Sequence, residues 1–220
     1  MPTKPMQTWN AERQRQYRAA HPEQALIFHV LLDESPSMGK YAAYARRSYN
    51  HYLAWLQGTC APMAMGHLVR FDKYVRAAPL TVLRAMQALT LETYTPERGD
   101  GTAMYDALGT LGTTQTEPGQ HVLILLTDGE DCSSTAWTQP QCHTLLTTLQ
   151  EASGWLCVFL AAFPEGRVVA TALGFQPGNI LVFPGDGLPE AFQRLKRATQ
   201  TYLLAPARER KLLAMEGIFG

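Results

Sequence analysis

At 220 residues the chain has the size of one ordinary domain with short extensions, and its 46% hydrophobic and 17% charged content excludes a disordered chain. Nineteen Lys and Arg residues balance nineteen Asp and Glu, so no overall field gathers nucleic acid or a membrane surface. The residues up to Glu23 are polar, broken by Pro2 and Pro5, and lack an apolar leader; no later run is long enough to span a bilayer, so a cytoplasmic protein is expected.

Asn10 to Ala20 reads as a short polar helix inside an N-terminal extension, residues 1–24. Ala25 to Leu32 (ALIFHVLL) is an uninterrupted apolar run, the mark of a strand covered on both faces. From Lys40 to Leu56, Tyr41, Ala45, Tyr49, Tyr52, Leu53 and Leu56 recur at helical spacing, and Gly58 ends the run. Met63 to Phe71 and Tyr74 to Leu80 predict two strands joined by a tight turn at Asp72-Lys73, forming an antiparallel edge. A long irregular stretch through Pro96 leads to Gly101.

Thr102 to Leu111 then predicts a helix and His121 to Leu126 (HVLILL) a second fully apolar strand. Helix at Gln141 to Ala152, strand at Trp155 to Ala162, helix at Glu165 to Leu173, strand at Ile180 to Phe183 and helix at Leu188 to Leu203 follow. Arg208 to Met215, in a C-terminal extension spanning 204–220, is a further helical segment that is rich in basic residues. Such alternation implies an open α/β domain over 25–203, a mainly parallel sheet with helices on both faces. Cys60 and Cys157 sit in or beside apolar runs as small hydrophobes; Cys132 and Cys142 flank a polar loop and are expected as free thiols.

Three polar clusters fall where elements meet their loops. Asp33-Glu34-Ser35-Pro36-Ser37 follows the first buried strand, Gly99-Asp100-Gly101-Thr102 precedes a helix that carries Asp106, and Thr127-Asp128-Gly129-Glu130 follows the fourth strand. In open parallel sheets ligands bind beyond the carboxyl ends of strands, where adjacent connections leave towards opposite faces. Taken singly, each cluster has an ordinary structural reading: Asp33, Ser35 or Thr102 as helix caps, Asp128-Gly129 as a turn. Capping does not, however, ask for Asp, Ser and Ser at alternate positions behind an apolar strand.

Asp-x-Ser-x-Ser, then Gly101-Thr102 with Asp106-Ala107, then Thr-Asp-Gly-Glu resembles the von Willebrand factor A family, in its stand-alone bacterial form, from about Ala25 to Leu203. The resemblance implies an open, doubly wound, mostly parallel six-stranded sheet in the order 3-2-1-4-5-6 with one antiparallel edge strand. It also implies a metal-ion-dependent adhesion site (MIDAS) made by Asp33, Ser35, Ser37, Thr102 and Asp128. Hard oxygen donors suit Mg²⁺ or Mn²⁺, with Ca²⁺ also accommodated. By the same resemblance Ser35, Ser37 and Thr102 coordinate directly, while Asp33 and Asp128 balance charge through waters and hydroxyls. Neutral hydroxyls leave the ion electrophilic, so an Asp or Glu of a partner protein completes its shell. AAA+ ATPases, kinases and phosphatases are the partners that analogy suggests. Glu34 and Pro36 depart from the small residues commoner there: Pro36 would stiffen the loop, and Glu34 would add negative charge beside the cation. The last family helix, Leu188 to Leu203 here, moves with site occupancy in some relatives.

Two other readings bound this one. A Mg²⁺-dependent phosphoryl transferase with Asp33 as nucleophile needs several carboxylates and a cation on the phosphate. Only Lys40 lies near the first cluster, no second Asp stands two residues after Asp33, and the strand end Ala161-Ala162-Phe163 has no lysine, so no enzyme is expected. A metal-independent adaptor would instead use the stretch from Leu89 to Gly101 or the basic C-terminal helix as its interface. Nucleic-acid binding has no support beyond that basic tail.

Overall fold

The computed structural model describes residues 11–21, 25–60, 62–98, 100–113, 119–151 and 154–219. Of the expected N-terminal extension, helix α1 (Ala11–Ala20) and His21 are described; its remainder, Gly99 and Ala152 lie outside the described residues. The strands are β1 (Leu26–Asp33), β2 (Met65–Phe71), β3 (Val75–Ala77), β4 (Thr81–Val82), β5 (Gln120–Thr127), β6 (Trp155–Ala161) and β7 (Ile180–Val182). They form one sheet in the order β3-β2-β1-β5-β6-β7, with β4 also pairing β2. The pairs among β2, β1, β5, β6 and β7 are parallel; β3 and β4 run antiparallel to β2.

Seven strands stand where the sequence predicts six, because the edge strand is broken. Ala77 pairs Val69 while Thr81 pairs Gly66, so three edge residues face two on β2, a bulge that contains Pro79. Pro79 has no N–H to give the ladder, and a bulged, proline-bearing edge resists pairing with another chain.

Strand alternation sends side chains to two cores. Phe28, Val30, Leu32, Val122, Ile124 and Leu126 meet helices α2 (Ala42–Thr59), α6 (Leu188–Leu204) and α7 (Ala207–Glu216). Leu31, Leu123, Leu125, Cys157 and Phe159 meet α3 (Met104–Gly109), α4 (Gln139–Glu151) and α5 (Gly166–Ala172) on the other face. Covered on both sides, β1 and β5 need apolar residues at nearly every position, which is why their sequences run without alternation. On α6, Leu188, Ala191, Phe192, Leu195, Thr199 and Tyr202 form the buried stripe, and Thr199 Oγ1 lies 2.8 Å from the Tyr52 hydroxyl of α2. Among the described residues no helix is long and apolar enough to cross a membrane.

The C-terminal segment expected as an extension packs onto the domain. Ala214 of α7 is buried in the first core. Asn179 clips the segment in place, its Nδ2 donating to Ala214 O at 2.8 Å and its Oδ1 accepting from Ile218 N at 3.0 Å, while Phe219 N donates to Gly178 O at 3.1 Å. Backbones approach so closely there that Gly178 and Gly217 (φ 113°) leave no room for a Cβ.

A row of buried histidines crosses the second core. His29 on β1 pairs in register with His67 on β2, and its Nδ1 lies 3.4 Å from His67 Nδ1; His29 Nε2 lies 3.0 Å from His121 Nδ1 on β5. The His29 and His121 rings both stack on Trp155. Burial pushes His29 well below the usual imidazole range, helped by the neighbouring His121 and His67, and burial also lowers His67. Below about pH 6.5 the unfolded chain therefore binds protons that the folded one refuses, and stability falls as pH falls. Between about pH 6.5 and 5 the unfolding free energy of the wild type should drop more steeply than that of His29→Leu, by about 1 kcal/mol per pH unit. Equal slopes in urea titrations of the two proteins would contradict this.

Candidate metal centre

Strands β1 and β5 are neighbours, yet β1 leads to α2 on one face and β5 to α4 on the other. The connections diverge at this point, leaving a crevice beyond the two strand ends. Asp33 is the last residue of β1, and Asp128 follows the last residue of β5.

Asp33 is fully buried, and its two oxygens are held separately: Oδ1 accepts from Ser35 N at 2.7 Å and Oδ2 from Thr127 Oγ1 at 2.6 Å. Beyond it the chain makes a 3₁₀ turn, Pro36–Tyr41, before α2 begins, with Pro36 in its first position. Ser35 makes no side-chain cap for that turn. Its Oγ instead lies 3.1 Å from Ser37 Oγ, and Ser37 Oγ donates to Asp128 Oδ1 at 2.6 Å. Asp33, Ser35, Ser37 and Asp128 thus form one connected cluster at the crevice.

Thr102 makes no hydrogen bond to this cluster among the described residues and is held by other partners. Its carbonyl accepts from Cys132 N and Ser133 N at 3.0 and 3.1 Å, and its amide donates to Ser133 Oγ at 3.3 Å, which ties it to the loop that carries Asp128. Thr102 is not the cap of α3. That loop caps α3 instead: Asp131 Oδ2 accepts from Tyr105 N at 2.9 Å and Ser134 Oγ from Asp106 N at 3.0 Å. Asp106 answers by accepting from Thr135 N, Ala136 N and Trp137 N at 2.7–3.0 Å. Gly101 has φ 61°, and Ser133 Oγ occupies the place a Cβ would take, so glycine is required before Thr102.

Three further residues contribute in ways to which the sequence alone assigns no role. Thr127 is the hydroxyl donor to Asp33 Oδ2; its place beside Asp128 at a strand end is the one available signal. Ser133 sets Thr102. Tyr94, fully buried, donates from its hydroxyl to Asp33 O at 2.7 Å, although it comes from the irregular stretch, where nothing marks it. Glu34, expected to add charge at the site, does something else. Its carboxylate is buried, accepts from Thr95 N at 2.6 Å and pairs with Arg70 and Arg76 at 3.3 and 3.4 Å. It braces β2 and β3 against the irregular stretch.

Burial pushes the Asp33 carboxyl up to about 6; hydrogen bonds from Ser35 and Thr127 oppose the rise and the like charge of Asp128 adds to it. Asp128 is raised as well, mainly by burial, with the Ser37 hydroxyl and Lys40 pulling the other way. Asp128 Oδ2 is buried and has no hydrogen-bond partner among the described residues. Two under-compensated carboxylates and an orphaned oxygen are what a cation would relieve. The Ser35–Ser37 oxygen separation of 3.1 Å is close to the edge, about 3 Å, of an octahedron with ligands at about 2.0–2.1 Å. Among the described residues no three His, Cys, Asp or Glu side chains form a metal-holding group; this site is built from two carboxylates plus hydroxyls, a donor set for a hard cation.

No protein-family model and no curated protein sequence matches this chain. Solved structures do. A von Willebrand factor type A protein from Catenulispora acidiphila superposes with TM-score 0.50 at 18% identity, over 80% of this chain and 43% of its own. BatB from Bacteroides thetaiotaomicron matches with TM-score 0.59 at 15% identity, over 80% of this chain and 98% of its own. The fold is that of von Willebrand factor A domains. Proximal thread matrix protein 1 from the mussel byssus shares the von Willebrand factor A-like fold with TM-score 0.56 at 16% identity, over 78% of this chain and 47% of its own, in a structure whose MIDAS motif is occupied by zinc. This chain thus spans nearly all of BatB but less than half of the other two proteins.

Proposed function

We propose that the chain is a divalent-cation-dependent protein-binding domain that grips an Asp or Glu of a partner protein through Asp33, Ser35, Ser37, Thr102 and Asp128. The observation that carries this reading is the hydrogen-bonded convergence of Asp33, Ser35, Ser37 and Asp128 at the sheet's crevice, with Asp128 Oδ2 buried and without a hydrogen bond among the described residues. The occupied MIDAS motif in a mussel protein of the same fold supports it. Ser35, Ser37 and Thr102 would hold the ion, and Asp33 and Asp128 would balance its charge. Bound Mg²⁺ or Mn²⁺ supplies an electrophilic position for an incoming carboxylate, because neutral hydroxyls cancel none of its charge. Asp33 suits this task better than catalysis, since both its oxygens are engaged and its side chain is sealed from solvent. The four free cysteines accord with a reducing compartment such as the cytoplasm.

The test is retention of partner proteins on immobilised domain. In Mg²⁺ the wild type should retain partners that EDTA releases, and Asp33→Asn should retain none of them. Partners that stay bound in EDTA, and bind Asp33→Asn equally, would overturn the reading.

A further inference from the structure

The geometry points to Lys40 as a built-in counter-ion of the metal-free site, one that competes with a divalent cation for Asp128 and so sets the site's cation affinity. This inference rests on the cation-binding reading above.

Among the described residues Lys40 is the one cationic side chain within ion-pair distance of either site carboxylate, its Nζ lying 3.9 Å from Asp128 Oδ2. That oxygen is the atom left without a hydrogen bond. Asp33, by contrast, is held by neutral donors alone, Ser35 N and Thr127 Oγ1. Lys40 belongs to the same 3₁₀ turn that presents Ser37, so its place over the site is fixed by the loop that supplies the hydroxyl ligands. Its ammonium also rests 4.7 Å from the centre of the Tyr41 ring. The Asp128 side chain is 2% exposed and that of Lys40 is 62% exposed. One partner is therefore locked, while the other can swing into water without disturbing the fold.

A single positive charge facing Asp128 offsets part of what burial costs that carboxylate, which keeps the loop in one shape when no cation is bound. A divalent ion at the hydroxyl cluster would lie close to the ammonium and repel it. Binding would thus carry the loss of the Lys40–Asp128 pair, with the ammonium turning away from the site into solvent. Because Lys40 is mostly solvated, water screens the competition, and the effect is a modulation of affinity rather than a block.

Mn²⁺ titrations by calorimetry and by electron paramagnetic resonance, at about pH 7.5 and low salt, test this on the full chain. K40M should bind Mn²⁺ about five- to tenfold more tightly than the wild type, and K40R, which keeps the charge, should stay within about twofold. The difference between K40M and wild type should shrink when salt is raised to about 0.5 M. Melting in EDTA controls for folding: both variants should unfold cooperatively, with K40M, which lacks the pair, melting slightly below K40R. If the wild type binds Mn²⁺ and K40M binds it equally or more weakly, or if K40R tightens binding as K40M does, the Lys40 role is overturned and the cation site stands. If neither wild type nor K40M binds Mn²⁺, the cation site itself falls and this role falls with it.

Discussion

Asp33→Ala should abolish Mg²⁺ and Mn²⁺ binding, and Asp33→Asn should do the same while making the metal-free protein more stable than the wild type. Both expectations follow from the burial of one carboxylate. The unfolded chain releases the Asp33 proton at about pH 4, the folded one at about 6. Across that window the folded state holds the extra proton, so its stability declines as pH rises, by about 3 kcal/mol in total once both states are ionised. A divalent cation offsets this cost, and an uncharged amide in its place removes it. The amide oxygen still accepts from Ser35 N, and Thr127 Oγ1 can accept from the amide nitrogen while donating to Gly129 O, already 3.1 Å away. In EDTA at about pH 7.5, urea unfolding should place Asp33→Asn about 1–3 kcal/mol above the wild type. Adding Mg²⁺ should raise the wild type alone, and the gain should fade below about pH 6 as Asp33 takes up its proton. Unchanged Mn²⁺ affinity in Asp33→Ala would remove this residue from the site.

Glu34→Ala should behave oppositely, costing stability and leaving the cation affinity within about twofold. The change strips a buried acceptor from Thr95 N and deletes the carboxylate between Arg70 and Arg76. Arg70 also donates to Thr93 O, and Arg76 pairs with Asp72 at 2.9 Å, so both guanidiniums keep a partner and remain partly solvated. The loss should therefore fall near the low end for a broken buried pair, about 2–3 kcal/mol. Urea midpoints give the stability and Mn²⁺ calorimetry the affinity. A large fall in affinity with unchanged stability would return Glu34 to the metal site.

Fold and site are legible in the sequence to different degrees, for a physical reason. The helices and strands follow from apolar periodicity, and β1, β5 and β6 in particular are marked by runs that only a doubly covered strand tolerates. The bulge at Pro79 escapes such a reading, because register between strands is set by pairing and leaves little local trace. Asp33, Ser35, Ser37 and Asp128 come together as the family resemblance implies, whereas the backbone of Thr102 is bonded to Cys132 and Ser133, further along the loop that follows Asp128. What the sequence hides are partnerships across the fold. Glu34 stands next to Asp33 in the chain, yet alternation along the strand end sends its carboxylate towards β2 and β3. Tyr94 reaches Asp33 from 61 residues away, and no periodicity encodes such a contact.

The clip at Gly178 and Asn179 has a practical corollary. These residues lead into β7, the last strand of the sheet, three strands over from β1 and two from β5, whose carboxyl ends carry Asp33 and Asp128. Phe219, fastened to Gly178, is thereby held beside that edge strand, to one side of the crevice between β1 and β5. A biotin or surface linker attached at that edge would anchor the molecule sideways, so bound partners would meet the hydroxyl cluster without crossing the anchor.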